Sequence, residues 1–251
     1  MTDPAPAPAA PAAPDAPDAR PLAGRIALVT GASRGIGAAT ARALAAAGAQ
    51  LVMTARTTGG LEEVEEAIHA AGGTASLAPL DLLDGAGIDR LGAAIRERFG
   101  RLDIAVLNAA MLGSLAPVAM AEPREVAEVF ALNVLAQQRL IRALDPVLRA
   151  APAGRLIALT STVATAPRPY WGIYAASKAA LEMLVDCWAL EVANLSPARA
   201  AILNPGATRT AMRARAFPGE DPASLKPPEA VAQRILAMLV EDFPTRARVT
   251  A

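Results

Sequence analysis

Tyr174 and Lys178 stand four residues apart in a chain that contains only two tyrosines and two lysines. Positions four apart share one face of a helix, and the alanine-rich sequence around this pair predicts a helix over residues 174–194. A phenol with its ordinary pKa near ~10 is a poor base at neutral pH. Because a neighbouring ammonium stabilises the phenolate, we expect Lys178 to lower the pKa of Tyr174 and assist proton transfer. The alternative is a tyrosine at a helix start with a lysine on its solvated face.

The segments that must position this pair alternate between short apolar runs and longer helical patterns. The predicted strands cover residues 26–29, 51–53, 75–78, 104–107, 156–159 and 200–203. The predicted helices cover residues 36–47, 61–71, 88–99, 125–149, 174–194 and 228–240. This alternation indicates a parallel sheet with helices on both faces, so we predict an α/β fold, a single doubly wound Rossmann domain over residues 21–251. Ligands of such sheets bind at the carboxyl ends of the strands.

A glycine-rich loop, T-G-A-S-R-G-I-G at residues 30–37, joins the first predicted strand to the first predicted helix. Glycines at these positions permit a tight turn and a close approach of backbone to a pyrophosphate, and the helix N-terminus supplies N–H donors. The loop therefore predicts a dinucleotide site, with a purely structural turn as the alternative. Its predicted cofactor-binding residues are Gly31, Ser33, Arg34, Gly35, Ile36 and Gly37.

The end of the second strand indicates which dinucleotide binds. Enzymes that prefer the unphosphorylated cofactor usually carry an acidic residue about ~20 residues beyond the glycines, whereas this chain has Ala55 and Arg56 there. A guanidinium can pair bidentately with a 2′-phosphate, and Arg34 lies in the adjoining loop. We therefore predict NADP as the cofactor. The alternative is that both arginines are solvated surface residues.

Composition argues against several other kinds of partner. The net charge is zero and aromatic residues make up 3% of the chain, which gives no basic or stacking surface for nucleic acid. Cys187 and His69 are each the only residue of their type, so we predict no metal site. We expect Cys187 to be a small core residue and His69 to lie on the surface.

The first twenty residues are almost entirely Ala, Pro and Asp, which predicts a disordered tail over residues 1–20. No later run approaches the ~20 consecutive apolar residues that span a bilayer, so we expect no membrane segment and a cytoplasmic protein. Only a few residues follow Thr245, so any closing strand must be short.

Several short motifs follow one another in a set order and spacing. They are the loop at 30–37, Asn108-Ala109-Ala110, Asn133, Ser161, the Tyr174 and Lys178 pair, and Asn204-Pro205-Gly206. Together they resemble the short-chain dehydrogenase/reductase family from residue 22 to about residue 243. The spacing of thirteen between Ser161 and Tyr174 is typical of that family. Segments 204–213 and 216–218 are similar to its YciK-like bacterial oxidoreductases.

The resemblance assigns roles to four catalytic residues. In ketone reduction, Tyr174 would donate a proton to the carbonyl oxygen, and Ser161 would hydrogen-bond that oxygen. Lys178 would lower the phenol pKa and hold the nicotinamide ribose, and Asn133 would hold a water in a proton relay. The open alternatives are a plain strand-end hydroxyl for Ser161 and a buried capping group for Asn133.

The resemblance also implies cofactor contacts beyond the glycine loop. Asp81 would meet the adenine amino group, Asn108 would line the adenine ribose, and Thr210 would bind the carboxamide. Asp81 could instead be a helix cap. Further implied contacts are Leu82, Pro205, Gly206, Thr208, Tyr174 and Lys178.

We expect the substrate pocket to be lined by loops at the strand ends, with Met111, Trp171 and Met212 as adaptable apolar contacts. Arg168 and Arg213 are expected to face solvent. The predicted function is therefore an NADP(H)-dependent oxidoreductase that interconverts a small-molecule carbonyl and a secondary alcohol and reduces apolar ketones or aldehydes in preference to charged ones.

Two other functions would use a similar chain. A non-catalytic NADP-binding regulator would need the glycine loop and Arg56 but could dispense with the catalytic residues. A sugar-nucleotide epimerase usually carries an added C-terminal domain, for which only residues 210–228 are available here. By resemblance we expect a homodimer or homotetramer, assembled through the predicted helices at 125–149 and 174–194. The expected interface residues are Leu132, Leu135, Leu140, Leu184 and Leu190.

Overall fold

The computed structural model describes residues 20–251. The predicted tail over residues 1–20 therefore lies outside the described residues, except for residue 20. Within the described range, the strands form one parallel sheet of order β3-β2-β1-β4-β5-β6-β7. The strands are β1 Ile26–Thr30, β2 Gln50–Thr54, β3 Thr74–Leu77, β4 Ile104–Leu107, β5 Arg155–Leu159, β6 Arg199–Asn204 and β7 Ala247–Thr250. The doubly wound fold is confirmed, and the closing strand β7 is short, with four residues.

A helix lies at each of the six predicted places, and one further short helix, over residues 211–216, was not predicted. The helices are α1 Gly35–Ala46, α2 Thr58–Ala70, α3 Gly85–Phe99, α4 Pro123–Phe130, α5 Ala136–Ala150, α6 Gly172–Val192, α7 Ala211–Ala216 and α8 Pro228–Glu241. The predicted helix over 125–149 is helical throughout, but a π-helical turn at Ala131–Leu135 lies between α4 and α5. Such a turn contains one extra residue and interrupts the helical register, often at functional positions.

The two faces of the sheet are covered by different helices. On one face, α1, α2 and α8 pack in a core cluster with Val29 and Leu51. On the other face, α3, α5 and α6 pack in a second cluster with Leu28 and Leu107. Because both faces are covered, the strands are continuous apolar runs without polar alternation. The winding direction reverses between β1 and β4, and this opens a crevice at their carboxyl ends.

Helix α6 has one side buried in the core and one side exposed. Val185 and Trp188 pack in the second cluster, whereas Cys187 and Met183 are exposed. The prediction that Cys187 is a core residue is wrong, because the helical register turns it to the outer side of α6. His69 is exposed, as predicted.

The predicted interface set also needs one correction, since Leu140 is fully buried in the core of its own chain. Leu135 and Leu190 are exposed, as an interface would require.

Among residues 20–251, no helix combines the length and apolar character needed to cross a bilayer.

Candidate active site

Two adjoining cavities open at the carboxyl ends of the strands. The larger cavity, of about 930 Å³, is lined by the glycine loop and by Arg56, Asn108 and Lys178. The smaller cavity, of about 540 Å³, is lined by Ser161 and by apolar side chains. Tyr174 lines both cavities, so its phenol lies at their junction.

The glycine loop is packed so tightly that side chains are excluded. A Cβ atom at Gly37 would lie 2.2 Å from the carbonyl oxygen of Gly31, and one at Gly31 would lie 2.8 Å from Nδ2 of Asn108. Gly31 also has a φ of 66°, in the left-handed region that favours glycine. Nδ2 of Asn108 donates to the carbonyl oxygen of Thr30 at 2.8 Å and thereby ties β4 to the loop.

The N-terminus of α1 faces this loop with its donors free. Arg34 at the N-cap makes no side-chain cap, and no acidic residue occupies the first turn. The unpaired N–H groups and the positive end of the helix dipole therefore favour an anion. Arg34 and Arg56 add two exposed guanidinium groups along the same cavity. These features fit a phosphorylated dinucleotide.

The structure distributes the predicted cofactor residues over both cavities. The larger cavity is lined by Gly31, Ser33, Arg34, Gly35, Ile36, Arg56, Asp81, Leu82, Asn108, Tyr174, Lys178, Pro205 and Thr210. Gly206 and Thr208 line the smaller cavity, and Gly37 lies at the base of the loop without lining either one. The sequence did not predict Arg209 and Glu229 as residues of the site. They line the larger cavity because the segment before α7 and the start of α8 lie at its rim.

Asp81 is not a helix cap, which removes the alternative role considered for it. The N-cap of α3 is Asp84, whose carboxylate accepts from the N–H of Gly87. Asp81 is exposed, and one carboxylate oxygen accepts from the N–H of Leu83 at 3.0 Å. Its side chain thus stays available at the wall of the larger cavity.

Tyr174 and Lys178 share the inner face of α6, as their spacing predicts. Lys178 is 2% exposed, which eliminates the alternative that it lies on a solvated face. Its ammonium donates to the carbonyl oxygen of Leu159 at 2.8 Å and lies 5.9 Å from the centroid of the Tyr174 ring. The phenol hydroxyl lies 4.0 Å from the sulfur of Met212.

The prediction that Lys178 lowers the pKa of Tyr174 is not supported by the protein alone. Burial raises the pKa of Tyr174 to about 12, because the phenolate would lose its hydration. Burial also lowers the pKa of Lys178 to about 8, against the opposing effect of the Glu182 carboxylate. At neutral pH the phenol therefore holds its proton and is suited to act as an acid.

The Ser161 hydroxyl makes no hydrogen bond within residues 20–251, whereas the hydroxyls of both flanking threonines do. The neighbouring Thr160 donates to the carboxylate of Glu182. On the other side, Oγ1 of Thr162 accepts from Nδ2 of Asn204 at 2.9 Å. Ser161 lines the smaller cavity together with Tyr174. Two candidate groups for binding a carbonyl oxygen thus face one space.

Asn133 lies fully buried at the centre of the π-helical turn. Its Nδ2 donates to the carbonyl oxygen of Met111 at 2.8 Å and to Oγ of Ser177 at 3.0 Å, while its Oδ1 accepts from the N–H of Met111. Both donors are used, so its side chain links the loop after β4 to α6. These contacts match the buried structural role held open for this residue.

Leu112 lines the smaller cavity in place of Met111, which was predicted to do so.

Aromatic residues form one wall of the smaller cavity. The ring of Trp171 lies 6.0 Å from the Tyr174 ring and 5.6 Å from the Phe217 ring. Trp171 and Met212 line this cavity, as predicted. Arg168 and Arg213 also line it, so the expectation that they face only solvent is wrong, although Arg168 is exposed at the mouth. The aromatic rings hold both guanidinium groups in the wall.

A buried network behind the site escaped the sequence reasoning. Besides Thr160, Glu182 receives a hydrogen bond from Arg248, which also donates to Asp186 at 2.6 Å. Lys178, Glu182 and Asp186 follow one another at a spacing of four on α6, and all three are buried. Charged residues at helical spacing in an apolar helix are the signal that could have revealed this network.

Comparison with known proteins identifies the family to which this chain belongs. The short chain dehydrogenase family model matches residues 25–221. The chain is 37% identical to the oxidoreductase YciK of Escherichia coli (strain K12), over 90% of each protein. A short chain dehydrogenase of Shigella flexneri 2a, crystallised with NADP, has a TM-score of 0.86 at 34% identity, over 93% of this chain and 98% of that chain.

A second solved structure, from Escherichia coli CFT073 in complex with NADPH, has a TM-score of 0.85 at 35% identity, over 93% of this chain and 98% of that chain. The predicted resemblance to YciK-like oxidoreductases is confirmed by these matches. Fold, family model and relatives agree over most of the described residues. The chain belongs to the short chain dehydrogenase family.

Proposed function

We propose that this protein is an NADPH-dependent reductase that converts an apolar ketone or aldehyde into its alcohol. The observation that carries the proposal is the buried Tyr174 phenol, which holds its proton at neutral pH and lies at the junction of the two cavities. An acid at this point can protonate a carbonyl oxygen. Crystal structures of similar proteins in complex with NADP and NADPH support the choice of cofactor.

The chain offers a matching group for each part of the cofactor. The free N–H donors of α1 would bind the pyrophosphate, and Arg34 and Arg56 would bind the 2′-phosphate. Tyr174 and Lys178 would bind the nicotinamide ribose. Bound NADPH would supply the hydride that reduces the carbonyl carbon.

The residues around the carbonyl would then manage the charge that develops on its oxygen. Ser161 would donate a hydrogen bond to this oxygen, and Tyr174 would transfer its phenolic proton to it. Lys178 would stabilise the phenolate that remains, because an ammonium close to the ring lowers the cost of the negative charge. The apolar walls of Trp171 and Met212 would hold the substrate body and exclude water.

A non-catalytic NADP-binding regulator is less well supported. Burying an ammonium costs stability, and Lys178 is almost fully buried with its Nζ 5.9 Å from the Tyr174 ring centroid. A regulator gains nothing from that arrangement. The test is to follow NADPH absorbance with a panel of aldehydes, ketones and quinones. We expect oxidation of NADPH with apolar carbonyl compounds; tight NADPH binding without turnover on any of them would favour the regulator.

We also propose that the protein forms a homodimer or homotetramer. Leu135 at the start of α5 is 66% exposed, and Met183 and Leu190 on α6 are 64% and 57% exposed. These large apolar side chains lie on neighbouring helices, and an isologous pairing of two copies would cover them.

A further inference from the structure

The smaller cavity carries a cation that the proposed reduction does not use. Among the residues that line it, Arg168 and Arg213 are the two with charged side chains. Arg213 donates from Nε and Nη2 to the two carboxylate oxygens of Glu220, at 2.6 and 2.5 Å. Its charge is therefore neutralised within the wall. Within residues 20–251, Arg168 makes no hydrogen bond or ion pair with any carboxylate, and it acts on Glu220 only at longer range, where its charge adds to the Arg213 hydrogen bonds that lower the pKa of that carboxyl.

Aromatic rings hold this unpaired guanidinium at the cavity mouth. Arg168 lies 4.9 Å from the centroid of the Phe217 ring and 5.9 Å from that of Trp171. Contacts of this kind fix the position of a guanidinium without using its N–H donors. Its donors therefore remain available to a ligand in the cavity.

Trp171 also sets the direction in which a ligand would extend. Its ring lies 6.0 Å from the Tyr174 ring and 5.9 Å from the guanidinium of Arg168. A molecule whose carbonyl meets Tyr174 would run along the indole and end at Arg168. The charges of Arg168, Arg213 and Glu220 together leave one net positive charge at that end, which matches one monoanion.

We infer that the substrate is an oxo acid, an apolar carbonyl compound whose far end carries a carboxylate bound by Arg168. The planar guanidinium offers two parallel N–H donors that fit a carboxylate. This inference rests on the proposed function and adds the substrate class. It also revises the expectation that charged substrates are disfavoured.

The test compares ω-oxoalkanoates of increasing length with their methyl esters, using NADPH and the wild-type protein. Each acid and its ester share the aldehyde and the chain, so their KM ratio isolates the carboxylate. We expect the acids of matching length to have the lower KM. Arg168→Gln should raise the ratio of acid KM to ester KM by about tenfold or more, while kcat for the acids changes little. Arg215→Gln, an exposed arginine of α7 outside both cavities, is the matched control and should leave the ratio as it is.

Equal KM values for acids and esters, or a ratio unaffected by Arg168→Gln, would overturn the carboxylate subsite while leaving the reductase in place. If neither series is reduced, the proposed function fails instead. Calorimetric binding of the same acids and esters to the Tyr174→Phe protein with NADPH needs no turnover and still tests the subsite. Weaker binding of the acids after the additional Arg168→Gln change supports it, and unchanged binding overturns it.

Discussion

The two adjoining cavities are built from different parts of the chain. Around the larger cavity, Gly31 and Gly37 leave no room for a Cβ atom beside the carbonyl oxygen of Gly31 and the side chain of Asn108. The smaller cavity is walled by side chains from separate segments of the chain, such as Leu112, Trp171 and Met212. A backbone-built site accepts few sequences and suits a constant ligand, whereas a wall of side chains can change its ligand without changing the fold.

Crowding the backbone of the larger cavity should have the largest effect on the proposed cofactor affinity. In Gly37→Ala the new Cβ meets the carbonyl oxygen of Gly31 at 2.2 Å, so loop and helix must shift apart. We expect the Kd for NADPH to rise about 10- to 100-fold, measured by NADPH fluorescence with thermal unfolding as a check on the fold. Gly59→Ala is the control, because a Cβ there meets nothing within 4 Å. Equal affinities of the two variants would contradict the backbone-built site.

Arg56, which lines the larger cavity, should affect the preference between NADPH and NADH more than the overall affinity for a dinucleotide. Arg56→Asp replaces a cation with a carboxylate that repels a 2′-phosphate and accepts from ribose hydroxyls. We expect the preference for NADPH over NADH to fall by about tenfold or to invert, measured as the ratio of kcat/KM values. Arg96→Asp, at an exposed position on α3, should leave the ratio as it is. A wild-type protein that prefers NADH would refute the assignment of NADP.

The buried network behind the smaller cavity should set the alkaline limit of activity. Burial lowers the pKa of Lys178 to about 8, so its ammonium is present below that pH and is lost as the pH rises through it. We therefore expect kcat to fall above pH about 8. Glu182→Gln removes the carboxylate that opposes this lowering, and the falling limb should move to lower pH. Glu191→Gln, exposed on the same helix, is the control; an unmoved limb in Glu182→Gln would separate Lys178 from the pH profile.

Assembly should matter least to either cavity, since the proposed interface lies on the outer sides of α5 and α6. Leu135→Glu places a charge among the exposed apolar residues of the proposed interface and should yield monomers by light scattering. Val240→Glu changes an exposed apolar residue of α8 and should leave the assembly unchanged. A wild-type monomer at micromolar concentration would contradict the proposal.

The same contrast explains how much the sequence could predict. The strands and the glycine loop depend on local pattern, and every predicted strand lies within one residue of its observed bounds. The Tyr174 and Lys178 pair needed only helical spacing. The pKa of Tyr174 could not be predicted, because it depends on burial by elements distant in sequence. The π-helical turn at Ala131–Leu135 could not be predicted either, and the residue at its centre, Asn133, bonds to the loop after β4.

The different roles of the two arginines in the wall of the smaller cavity could not be predicted for a related reason. Arg168 and Arg213 are ordinary surface residues by composition, and only the packing of Phe217 and the pairing with Glu220 give them different roles. Whether an arginine is neutralised or free is a property of the folded chain. The local sequence pattern does not indicate whether an arginine is neutralised.

The central claim is that the Tyr174 phenol donates the proton in carbonyl reduction, while the affinity of the larger cavity for NADPH comes mainly from its other residues. The most direct measurement is kcat and the Kd for NADPH in Tyr174→Phe, with Tyr170→Phe, the exposed second tyrosine, as the control. The account predicts that Tyr174→Phe lowers kcat by at least ~100-fold and leaves the Kd for NADPH within a few-fold of wild type. A kcat within a few-fold of wild type would contradict it.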